Sequence, residues 1–202
     1  AEGSYRAARK FGKGAEDLAV TCKKQEYPAH VPQAKRSLAL IYAVNPFGAD
    51  HMSSEHDPNY QPSAGEYTLG RMSELGLTHP VPNRDLSAEK VRFALTTQYA
   101  YSFLDCAGTC QFVWGPGWQL YDMEQLRDVV QAITGWKMTL YEIMQVGQRR
   151  LNMMRVFNAR EGITKDDEVL PKRGHIALTG GATDGVDVPK EQFLKAREIY
   201  YQ

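Results

Sequence analysis

The sequence predicts an all-α fold, an irregular multi-helical domain with long loops. Apolar residues recur three or four positions apart along most of the chain. Strict apolar–polar alternation, the mark of half-buried strands, is almost absent. Residues that start and stop helices stand at the ends of these periodic runs.

Ala1 to Phe11 reads as the body of a helix, stopped at Gly12-Lys13-Gly14. Lys35 to Val44 makes a shorter helix that ends at Asn45-Pro46, because a proline pushes the residue before it out of the helical region. Pro58 to Arg84, rich in proline, glycine and asparagine, reads as a surface loop or lid. Ser87-Ala-Glu-Lys90 starts the next helix, which runs through Val91, Phe93, Leu95, Tyr99 and Phe103. Asp122 caps a helix from Met123 to Ile133, with Leu126, Val129, Val130 and Ile133 towards the core and Gly135 as its stop. Thr139-Leu-Tyr-Glu142 has capping-box spacing, and Leu140, Ile143, Met144, Gly147, Leu151, Met154 and Asn158 follow along one face to a stop at Gly162. These two helices are expected to form a hairpin. Lys165 to Val188 carries charge and Gly-Gly turns and reads as a second surface loop, after which Pro189 opens a last helix. Residues 1–24 read as the end of a preceding helical domain and 25–202 as a C-terminal helical domain, with both ends cut. No repeat recurs at solenoid spacing.

Composition narrows the function. The chain has 24 basic and 24 acidic residues, and neither sign forms a long block, so neither a nucleic-acid backbone nor an anionic membrane surface is indicated as partner. No run approaches the roughly 20 apolar residues of a bilayer span, and the expected location is cytoplasmic. An odd count of three cysteines argues against a disulfide framework and leaves thiols for metal or redox work. Only Cys106 and Cys110 are close in sequence, in Leu104-Asp-Cys-Ala-Gly-Thr-Cys110. Taken alone, Asp105 is equally an aspartate that ends a helix, Cys110 a small buried hydrophobe, and His51 a surface or capping residue. Cys22 reads as structural and Cys106 as packing. His56, His79 and His175 receive no site role, since no pair has helical metal-ligand spacing. Arg149, Arg150, Arg155 and Arg160 read as a solvated face or domain contact, with Glu142, Glu161, Asp166 and Asp167 as partners.

Several strings together resemble the aldehyde ferredoxin oxidoreductase family. Lys23-Lys-Gln-Glu-Tyr-Pro-Ala29 stands where the family has Lys-Gly-x-Glu-x-Pro-Ala, and Asn45-Pro-Phe-Gly-Ala-Asp-His51 carries its Gly-x-x-His. Asp105-Cys-Ala-Gly-Thr-Cys110 matches Asp-x-x-Gly-x-Cys, and Ala132-Ile-Thr-Gly-Trp136 matches a following turn. The longest match runs from Gly147 to Asn158, through Arg160-Glu-Gly162, to Asp166-Asp-Glu-Val-Leu-Pro-Lys-Arg173.

The resemblance implies the C-terminal part of an enzyme that oxidises aldehydes to carboxylates at a tungsten-bis(pterin), with electrons leaving through a [4Fe-4S] cluster to ferredoxin. Both cofactors are expected only in a full-length parent, whose preceding domains are then partners of this chain. By that resemblance Asp105 holds the amino edge of a pterin, for which two carboxylate oxygens suit a pair of adjacent N–H donors. Gly108 and Thr109 would turn backbone amides towards the cofactor. Cys110 would be the fourth cluster ligand, the other three lying on a Cys-x-x-Cys-x-x-x-Cys run that this chain lacks. His51 would lie beside the metal and move a proton. The sequence departs from the family at Pro28-Ala-His-Val-Pro-Gln33, which lacks an Asp-Pro-Arg ending, and at Asp50, which replaces a cysteine. Other readings stay open: a non-catalytic helical interaction domain of the same fold, or a related pterin enzyme acting on aromatic thioesters. Oligomeric state is open too, a homo-oligomer included.

Overall fold

The computed structural model describes residues 3–202; Ala1 and Glu2, the start of the first expected helix, lie outside the described residues. Seven α-helices, one small hairpin and several 3-10 turns make up the described chain, so the fold is all-α as expected. Helix α1 (Gly3–Phe11) precedes strands β1 (Thr21–Cys22) and β2 (Gln25–Glu26), which pair antiparallel with Cys22 opposite Gln25. The turn between them holds Lys23 and Lys24 at positive φ, 49° and 68°, where a two-residue hairpin prefers glycine or asparagine.

Helix α2 (Arg36–Val44) has no solvent-facing side past its first residue: every residue from Ser37 to Val44 is buried. Its Leu-Ala-Leu-Ile-Tyr-Ala-Val run explains this, since a helix apolar all round is stable only inside. The N-terminal half of α4 (Ala88–Ala107) and helix α7 (Lys190–Tyr200) cover it, with Val91, Ala94, Phe193 and Ala196 in the shared core. At its start the Asp57 carboxylate accepts the Ser37 N–H at 3.1 and 3.2 Å, capping α2 from a distant loop. The Lys90 ammonium meets the same carboxylate at 2.6 Å with both side chains fully buried.

Helix α4 is the axis of the domain and contributes to three apolar clusters. Beyond the α2 core, Phe93 packs with Tyr60, Met72 and Leu77. Met72 lies on α3 (Glu66–Glu74), a helix inside the stretch expected to be a loop. That helix starts at Gly65 without a side-chain cap and carries Gly70, so neither signal marked it. The C-terminal half of α4 packs Ala100, Tyr101, Phe103 and Leu104 against Met123 and Leu126 of α5 (Met123–Thr134) and Ile143 of α6 (Leu140–Arg160). Both expected caps form, Asp122 with Gln125 and Thr139 with Glu142.

Two expectations about α5 and α6 need correction. The two helices touch, but α6 lies mainly along α4 and not in a hairpin with α5. On α5, Leu126 is buried while Val129 and Ile133 are exposed, Ile133 by 79%. The α4–α6 approach depends on Gly147, where a Cβ would overlap the Tyr99 carbonyl on α4. The Lys165–Val188 stretch carries three short 3-10 turns and anchors Leu170, Val186 and Val188 in the interior. No helix among the described residues is long and apolar enough to cross a membrane.

Candidate functional site

The site residues on α4 sit at the helix's last turn. Gly108, at φ +65°, stops the helix, and the Thr109 N–H and hydroxyl both donate to the Leu104 carbonyl, at 3.1 and 3.2 Å. Asp105 is thereby left on the rim, 41% exposed. Its Oδ2 meets Arg150 of α6 at 3.0 Å and its Oδ1 accepts from Gln111 Nε2 at 2.9 Å. Arg150 also donates to Ser102 Oγ at 3.2 Å, whose hydroxyl donates to the Gly147 carbonyl at 2.9 Å. The close helix crossing at Gly147 therefore sets where Arg150 stands. Partial burial raises the Asp105 pKa, Arg150 opposes the rise, and Asp50 adds to it. Arg150 so pairs with Asp105 and not with the acidic residues named from sequence, while Arg155 stacks on Tyr200 and Tyr201.

Cys110 is exposed and free, in a turn whose shape is held by the Val113 and Trp114 N–H groups donating to its carbonyl, both at 3.0 Å. Cys106 is exposed as well, so it does not pack as expected, while Cys22 is buried and its thiol is pushed up to about 12 by burial. A Cβ at Gly108 would meet no atom within 4 Å. The requirement for glycine here comes from its left-handed backbone, and the space beyond it is open.

His51 lies on the loop after α2. That loop packs on the same end of α4, with Met52 against the Tyr101–Leu104 cluster and Asp50 within electrostatic reach of Asp105. His51 is not alone: its ring meets that of His30 at 4.9 Å between centroids, and His30 meets His56 at 4.6 Å. Lys35, at the start of α2, sets its ammonium against Nδ1 of His30 at 3.2 Å and Nδ1 of His56 at 3.4 Å. His56 Nε2 reaches the His51 carbonyl at 2.8 Å, and the buried Nδ1 of His51 has no hydrogen-bond partner. His56, given no role from sequence, belongs to this group, as do His30 and Lys35. Nothing in the spacing 30, 35, 51, 56 marks them, because the fold of two loops about the start of α2 makes the cluster.

A concavity of about 480 Å³ borders the imidazole group through His30, with Tyr27, Gln33 and Arg173 in its lining, and one of about 540 Å³ is lined by Lys23, Phe47, Met154 and Phe157. Neither is lined by His51, Asp105, Gly108 or Cys110. No group of three or more His, Cys, Asp or Glu side chains among the described residues is arranged to hold a metal ion.

Fold and rim together define an all-α domain that carries Asp105 and Cys110 exposed at the end of one helix. Residues 1–202 match the family model "Aldehyde ferredoxin oxidoreductase, domains 2 & 3". The chain belongs to the aldehyde ferredoxin oxidoreductase family. The tungsten-containing aldehyde ferredoxin oxidoreductases of Pyrococcus furiosus and Thermococcus kodakarensis are each 33% identical to it over 175 residues, 86% of this chain and 26% of theirs. That of Pyrococcus abyssi is 31% identical over the same span. The chain thus spans about a quarter of the length of these curated relatives.

A tungstopterin and an iron–sulfur cluster, which the family implies, can be tested against this rim. A free exposed thiol at Cys110 is the donor that cluster iron takes, and one thiol is one ligand of the four such a cluster needs. Each Asp105 oxygen has a second lone pair left after Arg150 and Gln111, so the carboxylate can still accept from a heterocycle edge. Open space beyond Gly108 and Asp105 leaves room for a flat group. The residues present fit one side of both cofactors.

Proposed function

We propose that this chain is one wall of an aldehyde-oxidising site in a longer protein, whose preceding domains supply the other cluster ligands and close the face. The observation that carries this reading is the rim itself: a half-exposed carboxylate and a free thiol at one helix end, with an imidazole loop packed against that end. In the oxidation an aldehyde and a water give a carboxylate, protons and a pair of electrons. When bound, the tungsten centre supplies that redox chemistry, and the cluster a route for electrons towards ferredoxin.

The chain's own residues have separate tasks. Asp105 accepts the paired N–H donors of a pterin edge, and Arg150 keeps the carboxylate charged against the burial and the Asp50 charge that would protonate it. The Gly108 and Thr109 backbone turns at that edge, and Cys110 offers its thiolate to the cluster. His51 takes a proton as water adds to the carbonyl, the task that imidazole performs near neutral pH. Asp50, where the family has cysteine, brings a negative charge beside this group and sets this chain's pocket apart.

The test is made in the complete protein. Cys110→Ser is expected to lose most cluster iron, and Asp105→Ala to lose pterin, while the far-ultraviolet circular dichroism of both stays helical. Full iron in Cys110→Ser, measured by metal analysis, would overturn the assignment.

A further inference from the structure

We propose that Lys35, together with His30 and His56, is a positioning frame that keeps the His30 and His56 rings uncharged at neutral pH and so holds the His51 loop in place for its substrate. This rests on the reading of His51 as the proton carrier.

Hydrogen-bond chemistry fixes the protonation states. An ammonium has donors only, so the Nδ1 atoms of His30 and His56 that Lys35 approaches must accept. A carbonyl only accepts, so the His56 Nε2 that reaches His51 carries the proton. His56 is therefore a neutral Nε2–H imidazole with both nitrogens used, one on the lysine and one pinning the His51 backbone at 2.8 Å. His30 has the same tautomer and sets its ring edge-on to His51.

Protonating either ring would break its hydrogen bond from Lys35 and put two positive charges within 3.2 to 3.4 Å. Burial first, then Lys35 and the other rings, lower His30 to about 4, and burial with Lys35 and His51 lowers His56 despite the bond to the His51 carbonyl and the pull of Asp57. Asp57 and Glu55, the acids that face Lys35, favour its charged form against burial. Both acids are already engaged, Asp57 by Lys90 and Ser37, Glu55 by the His56 N–H, Asn59, Tyr101 and Gln119. Burial lowers the Lys35 pKa from its ordinary value, these acids oppose the fall, and its ammonium is the cation that the His30 and His56 rings face. The Nδ1 of His51 is buried without a hydrogen-bond partner in the chain.

Imidazole C2–H exchange followed by mass spectrometry gives the titration midpoint of each histidine in the complete protein. His30 and His56 are expected below the ordinary value of 6.5. In Lys35→Met both midpoints should rise by about one unit or more, while Lys35→Arg, which keeps the charge, should hold them low. Unmoved midpoints in Lys35→Met, or an equal rise in Lys35→Arg, would show that the lysine charge does not govern the cluster. In the active enzyme, Lys35→Met should lower kcat/KM at acid pH, where His30 and His56 then take up protons and release the His51 loop, and recover at alkaline pH. A loss of kcat equal at every pH marks a purely structural lysine and overturns the proposal. His51→Asn separates the two readings: unchanged turnover there removes the proton-carrier role, while the exchange midpoints still judge the frame.

Discussion

Helix α2 and helix α5 both carry an apolar stripe, yet the chain buries one completely and the other by half. Around α2 every apolar residue has a partner within the domain, and even the charged Asp57 and Lys90 beside it are matched and fully buried. Val129 and Ile133 of α5, Tyr141, Met153, Val156 and Phe157 of α6, and Trp136 between the helices are exposed. Periodicity therefore reports that a side chain wants cover, and says nothing about which part of a protein provides it. On the proposed reading the cover is the remainder of a longer protein, this chain spanning about a quarter of the length of its curated relatives.

The comparison can be broken most severely at its buried end. Asp57→Ala leaves the Lys90 ammonium without its partner inside the domain and uncaps α2, and is expected to cost about 3–5 kcal/mol in urea unfolding. A loss under about 1 kcal/mol would mean that water reaches the pair and that the region is not as dry as its packing indicates.

A paired experiment on α5 addresses the contrast directly. Leu126→Ala should cost about 2–5 kcal/mol, while Ile133→Ala, two turns further along the same face and largely exposed, should stay within about 0.5 kcal/mol in the same chain. In the complete protein the Ile133 effect should grow if a neighbouring domain covers it; equal small effects in both settings would leave that face bare.

How much of this was legible beforehand depended on the range of the signal. The caps at Asp122 and Thr139, the stop at Gly135 and the end of α2 at Asn45-Pro46 are local, and each formed as read. Helix α3 had no local cap and a glycine within it, and it forms because Met72 finds Phe93 and Tyr60. At the candidate site, the sequence named Asp105, Gly108, Thr109, Cys110 and His51, all through one family resemblance. Arg150, which holds Asp105, and the Lys35 cluster around His51 depend on helix crossing and loop packing, which no spacing encodes.

A smaller effect probes the hairpin that packs beside α2. Lys24 occupies φ +68° in a turn where the family pattern has glycine, and a left-handed conformation costs an L-residue roughly 1–2 kcal/mol. Lys24→Gly should stabilise by about 0.5–1 kcal/mol, the gain being reduced by the extra freedom of glycine in the unfolded chain. A loss would mean that the Lys24 side chain, 5.8 Å from the Tyr5 ring, contributes more than the strain removes.

The smallest effect at neutral pH is also the one with a defined sign. His30 stays neutral in the folded chain down to about 4, whereas the unfolded chain takes up a proton from 6.5 downward. Between those values acid favours the unfolded state, so stability falls as pH drops through that window and is unaffected by His30 above it. Glu55, raised above 4.5 by burial, acts oppositely, its contribution being lost as pH rises, but it is common to any pair of variants. His30→Gln should therefore match the unaltered protein at pH 7 and exceed it at pH 5, a difference that stability curves at the two pH values isolate. Equal acid sensitivity would mean that His30 titrates normally, and that its contact with Lys35 is too weak to order the cluster around His51.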